Sequence, residues 1–271
     1  MTTPLTSLSS PIALGRTAEV YDWDEDHILK LYHAWCPPDW AEHEARVCAV
    51  IVTAGIPTPA IREAVTVDGR QGIVYQRVRG VSMLRDLNAR PWMFLPHAGA
   101  LADLQLRFRS IIVPGLTSNR MALGNAIRRV EHLPEDLRGR LLDILDSLPE
   151  EKTLCHGDFH PGNVLLSPDG PVVIDWMTAV AGSPWADVAR TSLLLSVGAR
   201  SAGKQVSLPV RLVISLYRRA YLERYRSACA DTDSEYERWL PVIAAARLDE
   251  RIGVEREALL DMVRSLLSQQ V

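Results

Sequence analysis

The chain carries little net charge, few cysteines and no long apolar run. A net charge of −3 gives no reason to expect a nucleic acid as partner. We expect no membrane partner, because no apolar run could span a bilayer and the N-terminus lacks a basic start followed by an apolar core. Four cysteines without paired spacing predict free thiols in a reducing cytoplasm: Cys36, Cys48, Cys155 and Cys229.

Internal repeats, low-complexity tracts and long linkers are also missing from the 271 residues. This length is enough for one large domain or two modest ones with an ample core. The composition therefore narrows the class of protein only slightly, and the oligomeric state stays open.

The most informative segment is His-Gly-Asp-Phe-His-Pro-Gly-Asn-Val-Leu-Leu at residues 156–166, followed by Val-Val-Ile-Asp-Trp at residues 172–176. Pro161 and Gly162 cannot continue a helix, so residues 158–163 must form a loop. The apolar runs on either side of residues 167–170 predict a short hairpin. This hairpin returns Asp175 to the neighbourhood of the loop.

The residue types in this segment suit phosphoryl transfer. A phosphoryl group in transfer spreads charge over its oxygens, so the protein supplies mainly positioning and countercharge. Magnesium (Mg2+) prefers hard oxygen ligands and keeps waters, so the Asn163 amide and the Asp175 carboxylate would be sufficient protein ligands. Asp158 is then left to accept a hydrogen bond from an attacking hydroxyl and to take its proton late, as the base.

The loop, hairpin and second aspartate together resemble the catalytic loop and metal-binding aspartate of the aminoglycoside phosphotransferase family, relatives of the protein kinases. The resemblance implies an α+β, protein-kinase-like two-lobe fold with ATP and Mg2+ as cofactors. It places an antiparallel-sheet nucleotide-binding lobe with one main helix at residues 1–78. A mostly helical catalytic and substrate-binding lobe follows at 79–271, with the connector at about 76–80.

The first eighty residues can be compared with that expectation. Residues 27–32 are strand-like with Lys30 among apolar neighbours, and a helix is predicted from Asp39, as the N-cap, to about Ala54. By the resemblance, Lys30 would hold the α and β phosphates and be held by a glutamate of the helix. Glu44 is favoured over Glu42, which faces another side of the helix. The alternative for Lys30 is a surface lysine on an edge strand.

Two further nucleotide contacts follow from the resemblance alone. The turn of Gly15, Arg16, Thr17 and Ala18 occupies the place of the glycine-rich loop, although it has a single glycine, and its backbone N–H groups would approach the phosphates. The connector carbonyl of Gln76 and the N–H of Val78 would pair with adenine. Tyr75 would stand at the back of the nucleotide pocket.

Periodicity predicts strands at 60–67 and 71–78, joined by the tight turn Asp68-Gly69. By the resemblance, Asp187 matches an aspartate near a helix start that braces the catalytic loop. Apolar residues at three- and four-residue steps predict the helices of the second lobe. These helices are at about 82–88, 91–109, 119–131, 135–148, 185–197, 209–227, 235–248 and 253–268.

Several alternatives stay open at this stage. His156 and His160 are a possible zinc pair, although no further cluster accompanies them and His156 is expected to pack within the loop. The acceptor is expected to be the hydroxyl of a small molecule, and aminoglycosides, choline, homoserine and sugars all fit. A protein kinase and a catalytically silent nucleotide-binding protein are further alternatives. A polycationic acceptor would suit the acidic C-terminal residues: Asp231, Asp233, Glu235, Glu237, Asp249 and Glu250.

Overall fold

The structure is a computed structural model that describes residues 9–201, 207–229 and 233–268, without the side chains of residues 198–201, 233 and 234. The strands are β1 Ala13–Leu14, β2 Ala18–Asp22, β3 His27–Tyr32, β4 Ile61–Val67, β5 Arg70–Gln76, β6 Val81–Ser82, β7 Thr153–Cys155, β8 Val164–Ser167, β9 Gly170–Val173 and β10 Val180–Gly182. The α-helices are α1 Asp39–Thr53, α2 Met83–Ala89, α3 Phe94–Leu106, α4 Asn119–Arg129, α5 Glu135–Ser147, α6 Pro184–Ser201, α7 Leu208–Ser227, α8 Asp233–Arg247 and α9 Arg256–Ser268.

The chain forms two compact units. The first runs to Arg85 and also includes Gly162–Thr178, whereas the second contains Asp86–Pro161 and resumes at Ala179. The hairpin of the catalytic motif therefore packs with the N-terminal strands, although the sequence-based division assigned it to the second lobe. The division at residue 78 stays a prediction.

An antiparallel sheet in the order β1-β2-β3-β5-β4 forms the centre of the first unit. Because side chains alternate along a strand, Leu29 and Leu31 point into one buried cluster while Lys30 and Tyr32 point to the opposite face. Strand β3 lies between β2 and β5, with Lys30 opposite Val20 and Ile73. The edge-strand alternative for Lys30 is therefore wrong.

The turn between β4 and β5 and the buried face of helix α1 form as the sequence predicts. Asp68 and Gly69 adopt φ values of 46° and 78°, as a tight turn between paired strands requires. The preceding helix α1 buries Glu44 with Val47, Cys48 and Ile51 at three- and four-residue spacing.

The predicted N-cap of α1 at Asp39 is wrong. Pro38 occupies the cap position with helical angles and no side-chain cap bond, and Asp39 is the first helical residue. A proline ring presets the backbone angle that the first turn needs, so the helix begins without a polar cap.

The hairpin of the catalytic motif forms as predicted, with Val164 opposite Val173 and Ser167 opposite Gly170. Strand β6 adds a third strand through the pairing of Val81 with Leu166. Close approach of the two backbones requires Gly80, since a Cβ there would lie 2.2 Å from the carbonyl oxygen of Leu166. This sheet fixes the position of Asn163, which immediately precedes β8, and of Asp175, which lies two residues after β9.

The second unit is mostly helical, and its described helices lie where the periodicity placed them, with ends that differ by a few residues. The predicted helix at 91–109 is interrupted, because 3-10 turns at Pro91–Met93 and Arg107–Ser110 flank α3. The sequence patterns did not predict the antiparallel pair of β7 and β10, in which Cys155 lies opposite Val180. Strand β7 leads directly into the catalytic loop, and β10 leads into α6. No described helix combines the length and apolar character needed to cross a membrane.

Candidate active site

The first group of candidate residues surrounds Lys30 in the first unit. Its Nζ atom lies 2.9 and 2.8 Å from the two carboxylate oxygens of Glu44 and 2.7 Å from Oδ1 of Asp175. Glu44 is 1% exposed, Lys30 13% and Asp175 40%. Glu42 is exposed on another face of α1. The structure therefore brings together Lys30, Glu44 and Asp175, three of the residues that the sequence analysis singled out in this unit.

Charge in this group is balanced around the buried lysine. Burial opposes the ammonium form, but the carboxylates of Glu44 and Asp175 raise the pKa of Lys30 well above its usual value. The Tyr32 hydroxyl donates to Glu44, and the Lys30 ammonium lies 5.3 Å from the centre of the Tyr32 ring. Lys30 is therefore a fixed cation with a partly exposed anion, Asp175, beside it.

Asn163 and Asp175 are connected through the hairpin. The Ile174 N–H donates to the Asn163 carbonyl at 3.0 Å, which ties the residue before Asp175 to the start of β8. Asp175 has φ of 66°, in the left-handed region that aspartate tolerates better than most residues. Trp176, the residue after Asp175, is held by a hydrogen bond of 3.1 Å from its indole N–H to the Thr58 hydroxyl.

The donors of these two residues fit a magnesium ion. One amide oxygen and one carboxylate oxygen are hard ligands, and few protein ligands are enough because magnesium keeps bound water. Asn163 is 8% exposed. Among residues 9–201, 207–229 and 233–268, no group of three or more His, Cys, Asp or Glu side chains is arranged to hold a metal ion.

The second group surrounds Asp158 in the second unit. Its carboxylate is 30% exposed, with Oδ2 3.6 Å from His160 Nε2 and Oδ1 3.7 Å from Arg190 Nη2. Burial favours the neutral acid, but the hydrogen bond and charge of His160 and the charges of Arg190 and His156 lower the pKa of Asp158. Asp158 is therefore an ionised acceptor at neutral pH.

The loop that carries Asp158 is braced by Asp187 at the start of α6. Asp187 accepts the N–H groups of His156 at 3.1 Å and Gly157 at 2.8 Å, which confirms the predicted bracing. His156 is fully buried and accepts the Asp158 N–H at Nδ1, 3.3 Å away, so it packs within the loop as expected. Gln105, in α3, donates a hydrogen bond of 2.9 Å from its amide nitrogen to Asp187.

The turn of residues 15–18 is closed by its own backbone. The Gly15 N–H donates to the Ala18 carbonyl at 2.8 Å, and Ala18 is the buried first residue of β2. Gly15 and Arg16 are exposed and Thr17 is half-buried, while the Thr17 carbonyl accepts the His33 N–H at 2.9 Å. The structure therefore makes a tight turn at the predicted place, and its contact with phosphates remains a proposal.

The connector begins where β5 ends, two residues before the strand end predicted at Val78. Gln76 is exposed and donates its N–H to the Ala60 carbonyl at 2.8 Å, whereas Val78 is half-buried. Arg77 ties this segment to the β2–β3 hairpin through Asp22 at 2.7 Å. Tyr75 is buried, and burial followed by the Glu44 charge raises its pKa.

Two residues of these groups were not assigned a role from the sequence. Tyr32 lies two residues after Lys30, so strand alternation puts it on the same face. Arg190 lies three residues after Asp187, so helical spacing puts both on the side of the loop. Both spacings can be read from the sequence, but they indicate a role for Tyr32 and Arg190 only after roles have been assigned to Lys30 and Asp187.

One family model matches the sequence, and solved structures of known proteins are similar to the fold. The model of a phosphotransferase enzyme family, APH, matches residues 10–240. The chain is similar to aminoglycoside phosphotransferase APH(4)-Ia in the apo form of a thermostable mutant, at 15% identity and a TM-score of 0.69, covering 98% of this chain and 96% of that one. Another structure of that protein holds AMP-PNP and hygromycin B.

Two other solved structures are similar. The aminoglycoside-3'-phosphotransferase of type VIII is 22% identical with a TM-score of 0.62, covering 89% of this chain and 90% of that chain. The GDP and kanamycin complex of APH(2")-IIIa is 16% identical with a TM-score of 0.60, covering 97% and 92%. No curated protein matches the sequence. With an α+β, protein-kinase-like fold and a family match over most of its length, the chain belongs to the APH phosphotransferase enzyme family.

Proposed function

We propose that the protein transfers the γ-phosphate of ATP to a hydroxyl group of a small molecule, with Mg2+ as the metal. The observation that carries the proposal is the cluster in which Lys30 contacts both Glu44 and Asp175. A buried lysine held between two carboxylates is a fixed cation that suits the phosphates of a nucleotide.

On the nucleotide side, Lys30 would contact the α and β phosphates, with Glu44 and Tyr32 holding it in place. Asn163 and Asp175 would hold magnesium, which supplies countercharge to the phosphate oxygens. The backbone of residues 15–18 would cover the phosphates. Gln76 and Val78 would pair with adenine through backbone groups. ATP is supported by the AMP-PNP complex of a similar structure, while the GDP complex of another makes GTP the alternative to test.

On the acceptor side, Asp158 would accept a hydrogen bond from the attacking hydroxyl. Its lowered pKa makes it a weak base, so its main contribution is to orient the hydroxyl, with proton transfer late in the reaction. Asp187 supports this role by fixing the backbone of the two preceding residues.

The acceptor is best defined as a small-molecule alcohol. Hygromycin B and kanamycin occupy similar structures, which makes aminoglycosides the first candidates. However, Asp249 pairs with Arg129 at 2.6 Å, and Glu250 pairs with two arginines, so neither is arranged solely for a polycation. Asp231 and the Asp233 side chain lie outside the described residues. Choline, homoserine and sugars therefore remain acceptors to test.

A small acceptor is favoured over a protein. Between Asp175 and α6 the chain forms a 3-10 turn at Trp176–Thr178 and the short strand β10. No activation segment of the protein-kinase kind fits into this length.

All four cysteines are free thiols, which supports a reducing cytoplasm as the location.

The test is a coupled ADP-release screen with Mg2+ and ATP across aminoglycosides, amino alcohols, sugars and hydroxy amino acids, with a peptide array beside it. We expect turnover with a small alcohol and none with peptides. Asp158→Asn should lose at least about a hundredfold in kcat while magnesium-ATP binding stays nearly unchanged, because the metal ligands are intact. Phosphorylation of peptides alone, or magnesium-ATP binding without transfer to any acceptor, would contradict the proposal.

A further inference from the structure

A chain of alternating charges leads from the C-terminal part of the second unit to the catalytic loop. Its far end is Glu255, which is fully buried and bound by Arg247 through two hydrogen bonds of 2.9 and 3.1 Å. A bidentate pair of this kind fixes the arginine more firmly than a single contact. Arg247 is itself buried, so its position is set by the core.

Glu250 is the next member of the chain. Its Oε2 accepts from Arg247 Nη1 at 2.6 Å, and its Oε1 accepts from Arg190 Nη2. The two oxygens of one carboxylate thus bind two guanidinium groups, one anchored in the core and one next to the catalytic loop. Glu250 follows α8 in the 3-10 turn Leu248–Glu250, far in sequence from the loop.

Arg190 is the member that reaches the loop. Its Nε donates to the Gly157 carbonyl at 3.1 Å, and its Nη2 lies 3.7 Å from Asp158 Oδ1. This distance is too long for a hydrogen bond, so the guanidinium stands beside the carboxylate without covering it. The contact with Glu250 uses the same nitrogen that would otherwise reach Asp158.

We propose that Glu250 is a positioning residue for phosphoryl transfer: it holds Arg190 at its distance from Asp158, so that the guanidinium does not compete with the acceptor hydroxyl for the Asp158 carboxylate. The kinetic part of this inference rests on the proposed function. Without Glu250, the nearest carboxylate to the Arg190 guanidinium is Asp158, and opposite charges at this distance attract strongly in a partly buried site. Arg190 would then close onto Asp158 and compete with the acceptor hydroxyl for its carboxylate.

The structural arm of the test uses nuclear magnetic resonance on the whole protein at neutral pH. The probes are the Arg190 Nε–H signal and the carboxyl carbon of Asp158, assigned with Arg190→Gln and Asp158→Asn. We expect Glu250→Gln to shift both signals. In the Arg190→Gln background the same change should leave the Asp158 carbon unshifted, because Glu250 acts through Arg190. Besides Arg190, the charges of His160 and His156 act on Asp158, and both residues stay the same in all variants.

The matched control is Asp249→Asn. Asp249 is the neighbour of Glu250 in the same turn, but it pairs with Arg129, whose side chain is 62% exposed. Asp249→Asn removes the same charge without changing a partner of Arg190, so the Arg190 Nε–H signal and the Asp158 carboxyl-carbon signal should both stay in place. An Arg190 signal unchanged by Glu250→Gln, or an equal shift of the Asp158 carbon with and without Arg190, would overturn the inference, whether or not the protein turns over ATP.

The kinetic arm separates positioning from general stability. With the acceptor found in the screen, Glu250→Gln should lower kcat at least about tenfold while the Kd of magnesium-ATP stays constant. Glu250→Asp keeps the charge and should retain more activity than Glu250→Gln; it also serves as the second variant if Glu250→Gln folds poorly. A parallel loss of nucleotide binding, or an unchanged kcat, would contradict a positioning role, whereas a wild-type protein without transfer contradicts the proposed function instead.

Discussion

Glu44→Gln should destabilise the first unit by about 3 kcal/mol. Removing one partner of a buried ion pair costs about 3–5 kcal/mol, because the remaining charge is left in a poorly solvated place. Here the loss falls at the lower end, since Asp175 remains 2.7 Å from Lys30 and is 40% exposed to water. Glutamine keeps the shape of Glu44, but its amide nitrogen would face the Lys30 ammonium in either orientation, because Nζ contacts both Glu44 oxygens and can only donate.

Glu42→Gln is the matched control on the same helix. Glu42 is exposed in the first turn of α1, where a carboxylate is worth about 0.3–1 kcal/mol through the helix dipole. Native-state hydrogen exchange at the amides of β3 measures the opening free energy of this unit without requiring the whole chain to unfold in one step. If the two substitutions lowered that free energy by equal amounts, the cluster around Lys30 would not be the buried ion pair described above.

Two further predictions concern the backbone and the base. Gly80→Ala should destabilise the first unit by roughly 2 kcal/mol, because its Cβ would lie 2.2 Å from the Leu166 carbonyl oxygen. Gly139→Ala in α5, where a Cβ meets nothing within 4 Å, should stabilise the protein by about 0.5–1 kcal/mol. Urea unfolding measures both variants, and an unchanged free energy of unfolding for Gly80→Ala would contradict the close approach of residue 80 to Leu166. Because the folded pKa of Asp158 lies below its ordinary value of about 3.9, its ionised form stabilises the fold above that pH, and this contribution is lost as the pH falls through the folded pKa. The Asp158 carboxyl carbon should therefore not titrate between about pH 8 and pH 5, and a midpoint in that range would refute the assigned environment.

Local patterns in the sequence predicted a large part of the fold. The hairpin of residues 164–173 and the Asp68-Gly69 turn depend on neighbouring residues, so alternation and turn chemistry were sufficient to place them. The choice of Glu44 over Glu42 followed from helical geometry and is correct. These features share one property, which is that the residues that decide them lie within a few positions of one another.

The features that were missed depend on distant segments. Strands β7 and β10 have three residues each, too few to show a period. The grouping of residues 162–178 with the N-terminal strands depends on contacts such as the Val173 N–H with the Pro57 carbonyl at 2.8 Å, which no local pattern reports. The contact of Glu250 with Arg190 joins two segments in the same way.

The most direct test of the central claim is calorimetric titration of AMP-PNP into the protein, with and without Mg2+. Asp175 is the proposed metal ligand and lies beside Lys30, so Asp175→Asn should weaken binding at least about tenfold in the presence of magnesium. We expect wild-type binding to depend strongly on magnesium and this dependence to be largely lost in the variant. Equal affinity with and without the metal in both proteins would contradict the account.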